Sequence, residues 1–141
     1  MPATLERLGL IAAMKEAIKR VNQTDKLKID IQTVHEPFGL PKKILLGLFR
    51  VFQELLQNTI KHAGASEIQI VVDYHNDHIK MNYTDNGKGM DVAVMKSGGI
   101  GMKNMESRIQ ALEGTLYINK RIKSGFKAKV EVPIVFKENE L

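Results

Sequence analysis

The chain has 141 residues, the length of one domain and enough to bury a core, with an ordinary globular composition of 43% hydrophobic and 26% charged residues. It has no cysteine, which excludes a disulfide framework and a thiolate metal site, and apolar runs such as Ile44-Leu45-Leu46-Gly47-Leu48-Phe49 are too short to cross a bilayer. The net charge of +5 admits an acidic partner, but Lys120, Arg121, Lys123, Lys127 and Lys129 fall on or between expected strands with little aromatic interleaving, so no nucleic-acid contact is expected.

Leu5, Leu8, Ile11, Ala12, Ile18 and Val21 recur at helical spacing and predict an amphipathic helix over about 3–23. Met1 and Pro2 lead straight into it without a signal peptide, as in a piece of a longer protein. Leu27, Ile29 and Ile31 alternate with Lys28, Asp30 and Gln32 as a strand, which His35-Glu36-Pro37-Phe38-Gly39 ends. Pro41 suits the first turn of a second helix running to about Lys61, with a core stripe of Leu45, Leu48, Phe49, Phe52, Leu55, Leu56 and Ile60, and Gly64 as its stop. Ile68, Ile70, Val72 and Tyr74 form a strand that Asn76-Asp77 turns into a second, with Ile79, Met81 and Tyr83 inward, so the two read as a hairpin. Residues 90–97 are a short link suited to a lid over a ligand. A helix from about Ile100 to Glu113 points Met105, Ile109 and Leu112 inward and stops at Gly114. Strands near 115–120 and 127–135 follow, with Ala128, Val130, Val132 and Ile134 inward and Pro133 at an edge or strand end. Three helices and about five strands imply a sheet with one face covered by helices.

Asp85 carries the first chemical signal. It has the parity of Ile79, Met81 and Tyr83, so its carboxylate turns toward the core, which is costly unless a donor meets it. A ligand amine such as the exocyclic amino group of adenine would serve, and an Asp-Asn-Gly turn that twists Asp85 out to solvent would also remove the cost. On the second helix Glu54, Asn58 and Lys61 share a row, with His62 one position around: oxygen ligands for Mg²⁺ beside a charge for phosphate, or an ordinary polar flank. Gly98-Gly99-Ile100-Gly101 opens a helix, where backbone N–H groups can approach an anion, although the same loop also suits a plain flexible connection. Familiar nucleotide motifs fail. Asn82 stands where a P-loop before Gly87-Lys88 needs glycine, and Asn104 breaks the dinucleotide fingerprint at Gly99-Ile100-Gly101. The segment from Asp85 to Lys96 lacks the ligands of a calcium loop, and His75 and His78 are too few for a zinc site.

The three segments together resemble the Bergerat-fold ATPases. Glu54-Leu-Leu-Gln-Asn58-Thr-Ile-Lys61-His62 is similar to their N box, Asp85-Asn-Gly-Lys-Gly89 to their first glycine box and Gly99-Ile-Gly101-Met102 to their second. Within that superfamily the chain is most similar to the nitrate-sensor (NarL-type) subfamily of histidine kinases, over nearly its whole length. Residues 2–10 resemble the join after the dimerisation helices, and residues 101–114 the helix after the second glycine box. Gly125-Phe126-Lys127 departs from the Gly-Thr that the family often carries.

This resemblance implies an α+β fold, a two-layer α/β sandwich whose mixed, mostly antiparallel sheet of about five strands is covered on one face by three helices. It implies a single catalytic ATP-binding domain over 1–141, with ATP and Mg²⁺ as cofactors and a cytoplasmic location; it leaves open a membrane anchor elsewhere in the parent protein. Asp85 would hold the adenine amino group, Asn58 would ligate Mg²⁺, and Lys61 or His62 would reach phosphate oxygens. Gly87, Gly89, Gly99, Gly101 and Met102 would line the nucleotide, and Glu54 would be the acid that activates the nucleophile. Phosphoryl transfer needs mainly positioning and charge neutralisation, which this set can supply. Of the four histidines only His35 precedes an acid, and Pro37 argues against a helix there, so the phosphoacceptor is expected on a separate dimerisation domain of the same kinase. The parent is expected to be a homodimer that passes phosphate to a response regulator. The alternatives are a gyrase- or chaperone-type ATP hydrolase, an anti-sigma serine kinase, and a non-catalytic nucleotide-binding regulatory module.

Overall fold

The computed structural model describes residues 1–23, 26–35, 39–88, 100–119 and 125–134. Its sheet grows from the expected hairpin. Strands β2 (Glu67–Tyr74) and β3 (His78–Asp85) follow β1 (Lys28–Val34) in the chain, and β4 (Thr115–Ile118) and β5 (Phe126–Pro133) complete an order of β1-β2-β3-β5-β4. Only the β1–β2 pairing is parallel; the other three are antiparallel. The sheet is therefore mixed and mostly antiparallel, as the resemblance implies.

Alternation sorts the two faces. Ile68, Ile70, Val72 and Tyr74 of β2, Ile79, Met81 and Tyr83 of β3, and Phe126, Ala128, Val130 and Val132 of β5 are buried, while Gln69, Lys127 and other polar side chains take the opposite face. Pro133 ends β5, so the missing N–H costs no ladder bond, and the next amide, Ile134, donates to the Asp77 carbonyl oxygen at 2.8 Å. The apolar face is covered by helices α1 (Ala3–Leu8), α2 (Leu10–Val21), α3 (Lys42–Asn58) and α4 (Ile100–Ala111). Leu48, Val51, Phe52 and Leu55 of α3 are wholly buried, and truncating one such leucine to alanine typically costs about 2–5 kcal/mol.

Three expectations change. The first helix is broken in two at Gly9, whose φ of 92° suits glycine, so the described residues hold four α-helices where three were expected. The break shifts the phase of the buried stripe: Leu5, Leu10, Ala13, Met14 and Ala17 go inward, while the expected Leu8 and Val21 are 73% and 48% exposed. A hydrogen bond from Thr4 Oγ1 to Glu16 ties the two helices across the break. The second helix is α-helical only to Asn58 and finishes in a π turn, Thr59–Ala63, before Gly64 closes it in the left-handed conformation with φ 59°. The core stripe accordingly ends on Thr59, 3% exposed, and the expected Ile60 is 46% exposed. The third helix stops at Ala111, and the left-handed residue beyond it is Glu113, not Gly114. Gly114 is needed for another reason: a Cβ there would lie 2.5 Å from the Glu131 carbonyl oxygen on β5.

Candidate functional site

Asp85 and Thr59 are the two buried polar side chains among the described residues, and they meet. Asp85 is the last residue of β3 and faces the core, 8% exposed, so the turn does not twist it out to solvent. Thr59 opens the π turn, one residue after Asn58. Its Oγ1 lies 2.9 Å from Asp85 Oδ2, 2.6 Å from the Tyr83 phenol oxygen and 3.2 Å from the Leu55 carbonyl oxygen. The other carboxylate oxygen, Oδ1, accepts the Gly87 N–H at 2.9 Å. The costly buried carboxylate thus has two donors from the protein itself. Tyr83 completes the cluster, its hydroxyl 3.2 Å from the Leu55 carbonyl. Burial pushes the Tyr83 phenol well above its ordinary range; its bond to Thr59 opposes the rise and the Asp85 charge adds to it.

The turn after Asp85 is pinned on both sides. Asn86 Oδ1 accepts the backbone N–H groups of Ser66 and Glu67, each at 2.9 Å, while its Nδ2 donates to Ser66 Oγ at 2.9 Å. The Gly87 carbonyl accepts the Gly125 N–H, which fixes the same turn to the start of β5.

Glu54 and Asn58 lie on the outer side of α3 and are half-buried; Lys61 is exposed. Glu54 lines a polar cleft of ≈390 Å³ with Arg50, Gln53 and Gln57 of α3 and Asn104 and Arg108 of α4. The row of Glu54, Asn58 and Lys61 expected from α-helical spacing is interrupted, because Lys61 and His62 belong to the π turn, where each residue advances the helix by a smaller angle. Met102 is half-buried against the core from α4, and Gly101 is the second residue of that helix. Gly89, Gly99 and the link at 90–97 lie outside the described residues.

Thr59, Tyr83 and Asn86 were not singled out by sequence reasoning. Two of them carry a signal that could have found them: Tyr83 sits two residues before Asp85 on the same strand face, and Thr59 sits four after Leu55 on the core side of the helix.

The described parts of the expected site are thus the buried acid Asp85 and Gly87 at the end of β3, and Glu54 and Asn58 on α3. Residues 44–135 match the family of histidine kinase-, DNA gyrase B-, and HSP90-like ATPases (HATPase_c), and the chain belongs to that family. Its resemblance within the family is to sensor histidine kinases. The signal transduction histidine-protein kinase/phosphatase DegS of Brevibacillus brevis is 31% identical over 134 residues, covering 95% of this chain and 35% of DegS. The sensor protein VraS of Staphylococcus epidermidis is 30% identical over 129 residues, covering 90% of this chain and 37% of VraS. This chain therefore spans a little over a third of the length of these relatives. The fold is shared with the histidine kinase domain of a blue-light activated histidine kinase from Erythrobacter litoralis, at a TM-score of 0.72 and 17% identity, over 86% of this chain and 63% of that one. The α+β fold expected from the motifs is the fold found. No helix among the described residues is long and apolar enough to cross a membrane.

Proposed function

We propose that residues 1–141 form a single cytoplasmic catalytic domain that binds ATP with Mg²⁺ and presents the γ-phosphate to a histidine on a separate dimerisation domain of a two-component sensor kinase. That kinase would work as a homodimer and pass the phosphate on to a response regulator. The carrying observation is the Asp85 carboxylate, buried at the end of β3 within the matched family segment and bonded to Thr59 and Gly87. An acid held this way offers its free lone pairs to the adenine amino group.

The described residues contain no group of three His, Cys, Asp or Glu side chains able to hold a metal. This donor set suits Mg²⁺, which keeps most of its waters and phosphate oxygens and takes one or two protein ligands, here Asn58. Bound there, the ion would neutralise charge developing on the transferring phosphoryl group. Lys61 or His62 would add positive charge at the phosphate oxygens, and Gly87, Gly89, Gly99, Gly101 and Met102 would allow the nucleotide close to the backbone and to α4. Glu54, half-buried in a cleft flanked by Arg50 and Arg108, would take the proton of the attacking imidazole.

Calorimetric titration of ATP with and without Mg²⁺ tests the binding, and addition of a sensor-kinase dimerisation domain tests the transfer. Wild type should bind ATP, and Asp85→Asn should weaken binding roughly tenfold or more, because a hydrogen bond to a charged group contributes about 1.5–3 kcal/mol. Equal affinity of Asp85→Asn and wild type would overturn the adenine assignment. Steady ATP hydrolysis by the chain alone, abolished in Glu54→Ala, with no label on any histidine, would replace the kinase reading with that of a hydrolase.

A further inference from the structure

Resting on the ATP-binding reading, we infer that Thr59, oriented by Tyr83, is a specificity-determining positioning residue. It fixes Asp85 as a pure acceptor, so that the pocket takes a purine bearing an amino group at its six-position and rejects one bearing a carbonyl there.

Two hydroxyl protons, of Thr59 and Tyr83, serve four close oxygen–oxygen contacts. The Thr59 and Tyr83 hydroxyls lie 2.6 Å apart, so one proton sits between them. Two arrangements satisfy that contact. If Thr59 donates to Tyr83 and Tyr83 donates to the Leu55 carbonyl, Asp85 Oδ2 faces the Thr59 oxygen at 2.9 Å with no proton between them, and lone pairs oppose each other. If Tyr83 donates to Thr59, the Thr59 proton goes to Asp85 Oδ2, and the contacts left without a proton are the two 3.2 Å contacts to the neutral Leu55 carbonyl oxygen. Bonds to a charged acceptor are the stronger ones, so the second arrangement prevails. Burial keeps the phenol protonated across the working pH range, so the chain from Tyr83 to Thr59 to Asp85 keeps its direction. Bonds aligned in one direction also polarise one another.

The consequence lies in what Asp85 has left to offer. Thr59 holds Oδ2 and the Gly87 N–H holds Oδ1, each at 2.9 Å, from two different elements. The carboxylate plane is thereby fixed, and only lone pairs remain for a ligand. An amino group satisfies them; a carbonyl oxygen presents lone pairs to the lone pairs of a carboxylate that is only 8% exposed. Sites built around such a bond reject the mismatched partner strongly, because their buried polar group is then left unpaired. The orienting hydroxyl can come only from this side among the described residues around Asp85: its ladder partner on β5 is Phe126, whose ring meets Tyr83 edge-on at 6.3 Å and brings no donor.

The test is calorimetric titration with ATP, GTP and the triphosphate of unsubstituted purine riboside, for wild type, Thr59→Val, Thr59→Ser and Tyr83→Phe. Wild type should prefer ATP to GTP. Thr59→Val should lose about tenfold or more in ATP affinity, close to the worth of one charge-assisted bond, while its affinity for the unsubstituted purine nucleotide stays within about twofold of wild type. Thr59→Ser, which keeps the hydroxyl, should restore the ATP preference. Tyr83→Phe frees Thr59 to turn to the Leu55 carbonyl and should move the ATP preference in the same direction, which keeps the test alive if Thr59→Val does not fold. Equal losses for ATP and the unsubstituted nucleotide in Thr59→Val would make Thr59 merely structural and overturn the inference. So would equal wild-type affinity for ATP and GTP, although the ATP reading would survive. Absence of wild-type ATP binding would remove both.

Discussion

At the end of β3, adjacent residues divide different tasks. Asp85 turns into the core, where Thr59 and Gly87 meet its carboxylate, whereas Asn86 turns outward and clamps the start of β2 through Ser66 and Glu67. Gly87 then donates back to Asp85 and accepts from Gly125. Asn86→Ala therefore frees two backbone donors at an exposed position, and denaturant unfolding should show a loss of about 1 kcal/mol. The same variant should weaken ATP binding more than its stability loss suggests, because the turn that aims Gly87 at the carboxylate loses its outer anchor. An unchanged titration alongside an unchanged unfolding midpoint would show that the backbone bonds of residue 86 to Glu67 and of Gly125 to Gly87 suffice. The parity of the strand made the burial of Asp85 legible from the sequence alone. The donors that satisfy it were not, because Thr59 and Asp85 lie 26 residues apart and only the docking of α3 on the sheet brings them together.

Element boundaries followed from periodicity except where one residue changed the phase. Gly9 is such a case, since its positive φ splits one expected helix and exchanges Leu8 for Leu10 in the core. The end of α3 is another: no local sequence rule separates a π turn from the α-helix before it, so Ile60 was expected inside in place of Thr59. Two glycines that pack between elements allow a paired prediction. At Gly114 a Cβ would meet the rigid Glu131 carbonyl at 2.5 Å, so Gly114→Ala should destabilise by about 1–3 kcal/mol as α4 or β5 is forced to shift. At Gly47, inside α3, a Cβ would lie 2.6 Å from Leu112 Cδ1, the far end of a side chain that can rotate away. Alanine also gains about 1 kcal/mol of helix propensity over glycine, so Gly47→Ala should leave stability nearly unchanged. Thermal unfolding of the two variants side by side would reverse this account if Gly47→Ala proved the more damaging.

Among the described residues, one sheet face carries the polar side chains while helices cover the other, and the buried acid sits at the end of β3 where that strand meets the π turn that follows α3. The motifs made this broad arrangement legible, since the N box must lie on a helix and the first glycine box must follow a strand for the two to share a ligand. Helix α3 and the π turn that ends it then carry three loads: core packing through Phe52 and Leu55, the outer row of Glu54 and Asn58, and the Thr59 contact with Asp85. The π turn that ends it amounts to one residue more than a regular helix requires, so chain length is itself a functional variable at this point. Removing Ile60, whose side chain is 46% exposed, would let the helix run on in regular α geometry and set the backbone of Lys61 and His62 back around the axis, by less than the roughly 100° of one α-helical residue because the π turn absorbs part of the step. Such a deletion should fold at least as stably as the parent by thermal unfolding, yet show markedly weaker ATP titration. If the deleted chain bound ATP normally, the surplus residue would be a tolerated accident of the helix end.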